Sequence, residues 1–332
     1  MNFVKSAVAA SMLLGFAGFA GSAVAADVPV SVYGKLNVTF ENVDKGDSQT
    51  ELKSNASRFG VKGAAALSDD LEAVYQMEWE VNATDQSHAN SSEDQFKARN
   101  TFVGLKGSFG TALVGRNDTM LKQSQGNVDQ FNDLDGDIKT LFKGENRMGD
   151  SITYMTPSIG LFQAGITYIG QDNDDQRVDG DGPDGTKYKS GASLALMYGD
   201  AKFKKAPYFA SVAYDNDVAG WDTTRATVQG KIGDFVLGGM YQRGEKSADS
   251  SQDYDGFMVS AAYELNKATF KVQYQDSDLH DLGSTSYKDA VSAGIDYKLG
   301  NTTKVFGFYT KFSAVSGAED ADYLAVGIEQ KF

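Results

Sequence analysis

The chain has 332 residues, with 45 acidic against 31 basic side chains, a formal net charge of -14, and no cysteine. Disulfides, thiolate metal sites and cysteine nucleophiles are excluded, and so large an acidic excess speaks against a nucleic-acid partner, which requires clustered Lys and Arg. A mean hydropathy of -0.37 excludes a bundle of membrane helices, which needs several apolar runs of about 20 residues. Averaged over its length, the chain reads as a soluble acidic protein.

The N-terminus points elsewhere. Residues 1–26 begin with Lys5, continue through the apolar stretch Ala7 to Phe19, and close on Ala23-Val24-Ala25-Ala26. This is the pattern of a secretory signal peptide, with cleavage expected after Ala25 or Ala26. The mature chain, 27–332, shows no internal linker and is expected to form one domain.

From Val30 onward the period is two. Phe162, Ala164, Ile166 and Tyr168 fall on one face, as do Tyr208, Ala210, Val212 and Tyr214. Phe235, Leu237, Gly239 and Tyr241 repeat the pattern, and so do Ala268, Phe270, Val272 and Tyr274, opposite Lys271 and Gln273. Such alternation marks β-strands with one apolar face. The other face carries small or polar residues, so a second core is not expected there. The periodic segments run about ten residues, the length of a tilted transmembrane strand.

Tyrosines sit at the segment ends. Tyr241, Tyr263, Tyr274, Tyr297 and Tyr309 are spaced 22, 11, 23 and 12 residues apart, alternately one loop and one turn. Aromatic rings at both membrane boundaries generate that rhythm. Connections alternate in the same way. Leu67 to Asp70, Gly107 to Gly110, Pro157 to Gly160 and Leu265 to Lys267 are short. Val43 to Lys53, Ala83 to Asp94, Asp118 to Arg147, Gln171 to Lys189, Gly244 to Tyr254 and Ser277 to Tyr287 are long and polar. The tally is about 16 antiparallel strands, an even number that returns the chain to its starting side. The last segment alternates Leu324, Val326 and Ile328 with Ala325, Gly327 and Glu329, and ends on Phe332. The expected fold is an all-β transmembrane barrel closed by its two ends.

Several segments within this pattern resemble the Gram-negative general porins of the trimeric, sixteen-stranded class, especially the neisserial type. They are Val32 to Leu36, Ser57 to Gly63, Arg99 to Gly107, Val114-Gly115-Arg116, Ser151 to Pro157 and the terminal Phe332. Gln330 departs from the apolar or aromatic residue frequent in that family. The resemblance implies an outer-membrane homotrimer of water-filled channels in contact with lipid and lipopolysaccharide, with Phe332 read by the outer-membrane assembly machinery. It also implies a third long loop folded into the pore, here 118–147.

That loop holds the acids Asp118, Asp129, Asp133, Asp135, Asp137 and Glu145 against the bases Lys122, Lys139, Lys143 and Arg147. By motif position, Arg58, Lys62, Lys97, Arg99, Arg116 and Arg147 are the candidate basic wall. Alternation puts Arg58 and Lys62 opposite Phe59 and Val61, and Lys97 and Arg99 opposite Phe96 and Phe102. On a lipid face such charges would cost about 2–4 kcal/mol each near the midplane, so the lumen is expected. Opposed acids and bases then create a transverse field that sorts solutes by size and charge. The loop's acidic balance predicts a weak cation preference.

No catalytic residue, cofactor or metal site is expected. The aspartate run Asp172 to Gly185 and Leu134 to Asp137 both lack EF-hand spacing. His88 and His280 lie in separate loops, and Ser87 beside His88 does not make a hydrolase constellation, since adjacency in sequence is not geometry. Two other functions fit the same barrel: a substrate-selective channel, for example for anionic nutrients, and an adhesin or enzyme.

Overall fold

Backbone groups facing lipid have no water to bond, so a membrane-crossing sheet must satisfy every N–H and C=O by pairing with neighbours and closing on itself. The computed structural model describes residues 30–84, 96–171 and 190–332. The N-terminal segment 1–26, His88 and the whole aspartate-rich run Asp172 to Gly185 fall outside them.

Seventeen strand segments form one sheet. Two of them, Ser48–Ser54 and Arg58–Ser68, are halves of a single strand, giving a closed sixteen-stranded antiparallel barrel. In chain order the strands are β1 (Val30–Asp44), β2 (Ser48–Ser54 with Arg58–Ser68), β3 (Leu71–Val81), β4 (Phe96–Gly107), β5 (Gly110–Asp118) and β6 (Arg147–Met155). Next come β7 (Phe162–Ile169), β8 (Gly191–Gly199), β9 (Tyr208–Val218), β10 (Trp221–Ile232) and β11 (Phe235–Lys246). The last are β12 (Asp249–Leu265), β13 (Ala268–Ser277), β14 (Tyr287–Lys298), β15 (Thr303–Ala314) and β16 (Ala321–Lys331).

Each strand pairs with its sequence neighbours, and β1 pairs with β16 from Lys35↔Lys331 to Asp44↔Asp322. The seam continues to the last residue: Gly34 N–H donates to Phe332 O at 3.0 Å, and Phe332 N–H donates to Gly34 O at 3.1 Å. The break in β2 is a bulge. Between Val38↔Ser54 and Lys35↔Arg58, two residues of β1 face the three of Asn55-Ala56-Ser57, and Ala56 takes φ 48°. Asn37 N–H donates to the Ser57 hydroxyl at 3.0 Å, while Asn55 N–H donates to Asn37 O at 2.8 Å. The strand therefore bends without losing its bonds.

The two faces differ as the alternation requires. On β16, Leu324 and Val326 are each 62% exposed, whereas Tyr323 and Ala325 are buried toward the interior. Outward aromatic rings collect near both ends of the strands. At the end that carries the chain termini, Phe162, Tyr198 and Tyr208 form a contiguous group, and Phe235 sits 4.5 Å from Tyr263. At the opposite end stand Tyr168, Tyr214, Tyr241 and Tyr309. These are the interfacial girdles of a membrane barrel.

Two connections expected to be loops are hairpins. The β1–β2 ladder runs up to Asp44↔Ser48, and β11–β12 to Lys246↔Asp249. Beyond the membrane both faces are solvated, so the hydrophobic period disappears while the hydrogen-bond ladder persists. The alternation also shifts within β4. Between Met77↔Thr101 and Trp79↔Ala98 the register slips by one, and Phe102 pairs with Gln76, on the same face as Glu78. A bulge at Arg99-Asn100 thus changes sides for everything after it, so Phe102 does not lie opposite Arg99 as strict alternation implies.

Placing a charge on the outward face tests this assignment. Val326→Arg is expected to destabilise the barrel by about 2–4 kcal/mol and to lower the yield of heat-resistant folded protein on an unheated gel. Ala325→Ser, on the inner face, is expected to fold like the parent.

Candidate pore constriction

The connection between β5 and β6, residues 119–146, turns into the barrel instead of rising above it; it is called L3 below. It opens with a short helix, α1 (Met120–Gln123), whose Lys122 N–H is capped by the Thr119 side chain. A loop inside a barrel must find partners for its backbone, and the wall supplies them with uncharged polar side chains. Leu121 N–H donates to Ser193 Oγ at 2.9 Å, the Ser211 hydroxyl to Ser124 O at 2.6 Å, and Asn127 N–H to Gln229 Oε1 at 2.9 Å. Further along, the Ser260 hydroxyl donates to Val128 O at 2.6 Å, and Gln273 and Gln275 both donate to Gly136 O.

Val128, Phe131, Ile138, Leu141 and Phe142 of L3 are almost fully buried, in one cluster with Met258, Phe308 and Phe312 of the wall. The main hydrophobic core of this barrel is therefore the underside of its inserted loop. At Gly256 a Cβ would lie 2.5 Å from the Phe142 ring, so the wall is thinned where the loop packs.

Charges hold the tip. Lys35 Nζ lies 2.8 Å from Asp133 and Arg58 Nη1 3.3 Å from the same carboxylate. Lys53 pairs with Asp135 and, at 3.3 Å, with Glu41. On the facing wall, Arg99 bridges Glu78 and Glu80, at 2.7 Å each. Arg147 pairs with Asp118 at 3.0 Å and donates to Asn100 Oδ1 at 2.6 Å. An aqueous recess of about 590 Å³ separates loop from wall, lined by Arg58, Lys97, Arg99 and Arg147 on one side and Asp133, Asp135, Asp137 and Lys139 on the other. Asp118, Lys122 and Glu145 also border it.

Of the other residues singled out in the sequence, Asp137 and Glu145 also border the recess, and Asp129, Lys62 and Arg116 do not. Asp129 accepts from the N–H groups of Phe131 and Ile138, inside the fold of L3, and burial with the neighbouring Asp137 pushes its carboxyl upward. Asp137 lines the recess while accepting from Asp133 N–H and Lys139 N–H. Glu145 pairs with Arg225 at 2.7 Å. Lys62 lies over the Tyr33 ring at 4.7 Å, away from the recess. Arg116 sits at a register break opposite Thr101 and does not line the recess. Lys35, Lys53, Glu78 and Glu80 were not singled out in the sequence. Each is a single charge in an alternating strand, and only closure of the barrel brings them to the loop.

For Asp133, burial acts upward, but Lys35 and then Arg58 outweigh it and hold the carboxyl below its usual range, which is about 4. Docking of the tip is thus fully present above that range and is lost as pH falls through the lower, folded value. Open-channel current noise is expected to be the same at pH 7 and pH 5 and to rise only once pH falls below about 4, the usual carboxylate value. Asp133→Asn should weaken the docking by about 1.5–3 kcal/mol, giving noisy currents throughout that range.

Residues 7–315 match the family model described as Gram-negative porin. The chain is 26% identical over 337 residues to a major outer membrane protein P.IB of Neisseria meningitidis serogroup B, covering 93% of this chain and 85% of that protein. It is 26% identical over 263 residues to the major outer membrane protein P.IB of Neisseria sicca, covering 72% and 71%. Among solved structures, the anion-selective porin from Comamonas acidovorans superposes with a TM-score of 0.71 at 22% identity, over 92% of this chain and all of that one. With a closed sixteen-stranded barrel, an inserted loop and a family match along most of its length, the chain belongs to the Gram-negative porins, channels of the outer membrane.

Proposed function

We propose that the recess between L3 and the β2–β6 wall is the constriction of this porin, that small hydrophilic solutes and ions cross it by passive diffusion, and that it prefers cations weakly. The observation that carries the reading is the near-balance of charge at the recess. Seven bases (Lys53, Arg58, Lys97, Arg99, Lys122, Lys139, Arg147) meet six acids (Glu80, Asp118, Asp133, Asp135, Asp137, Glu145), most of them engaged in ion pairs. A balanced narrow point leaves the sign of selectivity to the mouth. There the rim opposite the chain termini carries exposed Asp47, Asp249, Asp281, Glu319 and Asp320. Mouth charges act only within a Debye length, about 8 Å in physiological salt, so the preference is small and grows as salt falls. The Comamonas porin is anion-selective, but at 22% identity the likeness carries the fold alone.

The chain is further read as a homotrimer, on the strength of its family and of its broad apolar outer surface, in contact with lipid and lipopolysaccharide. Residues 1–26 are read as a leader removed on export, and Phe332 as the signal for assembly. The backbone bonds between Phe332 and Gly34 support a role for this residue in sealing the barrel. The chemistry is transport alone: the ion pairs at the recess hold a shape and a field and require no proton transfer.

Planar-bilayer recording under a potassium chloride gradient tests the proposal. Stable, non-saturating conductance is expected, with a reversal potential of cationic sign that increases when both solutions are diluted tenfold. Strong chloride preference would contradict the assigned selectivity, and saturating conductance would contradict simple diffusion.

A further inference from the structure

Arg225 lies in mid-β10, facing the interior opposite Ala213 and Gln242, and is 1% exposed. Its Nε donates to Gln242 Oε1 at 2.7 Å. Its Nη1 donates to Gln125 Oε1 at 3.0 Å and to Glu145 Oε1 at 2.7 Å, and its Nη2 to Lys143 O at 3.1 Å. Gln242 and Tyr254 complete the cluster: Gln242 Nε2 donates to Lys143 O at 2.8 Å, and Lys143 N–H donates to the Tyr254 hydroxyl at 2.9 Å. Gln125 belongs to the outgoing limb of L3, Lys143 and Glu145 to the returning limb. One planar, permanently charged fork therefore ties both limbs to each other and to the wall, a geometry that an ammonium cannot reproduce.

Beside it stands Asp215, also 1% exposed, opposite Ser193 on β8 and Thr223 on β10. Thr223 is two residues from Arg225, so Asp215 is the diagonal cross-strand neighbour of Arg225 on the same face. Such neighbours are about 7–8 Å apart, within reach of a long side chain. The Ser193 hydroxyl is only a weak partner of Asp215, and neither carboxyl oxygen makes a well-formed hydrogen bond, a costly state for a buried carboxyl. Arg225 thus has two carboxylates in reach: Glu145, carried by the loop, and Asp215, fixed in the wall.

The geometry points to Arg225 as the positioning residue that sets the aperture, holding L3 docked through Glu145 and letting it go by turning to Asp215. Two alternative pairings of one buried cation give discrete states of the loop in place of a continuous drift. The inference rests on L3 forming the constriction.

Single-channel recording of variants tests it. Arg225→Met is expected to raise the frequency of transitions to sub-conductance states about tenfold, equivalent to roughly 1.4 kcal/mol, while the heat-resistant folded band stays as in the parent. Arg225→Lys, which keeps the charge without the fork, should fall between the two. Asp215→Asn, which removes the charge of the second acceptor, should make transitions rarer than in the parent. Parental transition rates in Arg225→Met would overturn the proposal, as would a rise in Asp215→Asn matching that of Arg225→Met. If Arg225→Met fails to fold, Glu145→Gln, which leaves every strand intact, must show the same rise, and parental behaviour there is equally contrary. An absence of conductance from folded parental protein would instead overturn the reading of L3 as a pore constriction, and this inference with it.

Discussion

A backbone in hydrocarbon cannot leave a sheet edge unpaired, and closure of β1 on β16 through Lys35↔Lys331 to Asp44↔Asp322 meets that constraint. Much else follows from it. A closed cylinder has an inside and an outside in different solvents, so each strand must alternate. Strand length is set by bilayer thickness, and connections fall at two ends with different tasks. The chain has no cysteine and needs none, because its ends are joined by a continuous ladder extending to Gly34 and Phe332.

The same closure explains why the largest apolar cluster lies where a channel interior should be wet. A barrel of sixteen strands is too wide for wall side chains to fill, and L3 occupies part of the space. Its Val128, Phe131, Ile138 and Phe142 pack in a cluster that runs from Trp221 of β10 round to Tyr323 of β16 and Val43 of β1, and its charged tip pairs with the adjoining β1 and β2 at Lys35, Arg58 and Lys53. Apolar packing and ion pairs together fix the loop inside the barrel and leave open the recess beside Arg99 and Arg147. The paired charges keep that recess polar at little net charge.

Much of this fold is legible in the sequence because alternation is a local signal. Leu324, Val326 and Ile328 announce their face without knowledge of any partner strand. What is hidden depends on non-local pairing. The bulge at Asn55-Ala56-Ser57 leaves no mark in hydropathy, and the one at Arg99-Asn100 moves Phe102 to the face of Gln76. Polar hairpin tips such as Asp44 to Ser48 look like loops because both of their faces meet water. Among the candidate site residues, Arg58, Arg99 and Arg147 are identifiable from their motifs, and they line the recess. Lys35 and Lys53 become visible only once the barrel brings them to L3, and Arg225 resembles any other charge in a strand until its burial is seen. The composition, read as an average, describes a soluble acidic protein because lipid-facing, lumen-facing and exposed residues are pooled.

Each strand presents one face to lipid and one to a water-filled lumen. With no native cysteine, single-cysteine variants along β16 test this directly, using a charged, membrane-impermeant thiol reagent on protein in lipid bilayers. Cysteine at 323 and 329, inner-face positions that border open recesses, is predicted to react and to reduce single-channel current in the same step, and cysteine at 324, 326 and 328 to stay unmodified. Equal reactivity along the strand, or modification at 324 and 326 with none at 323 and 329, would contradict it.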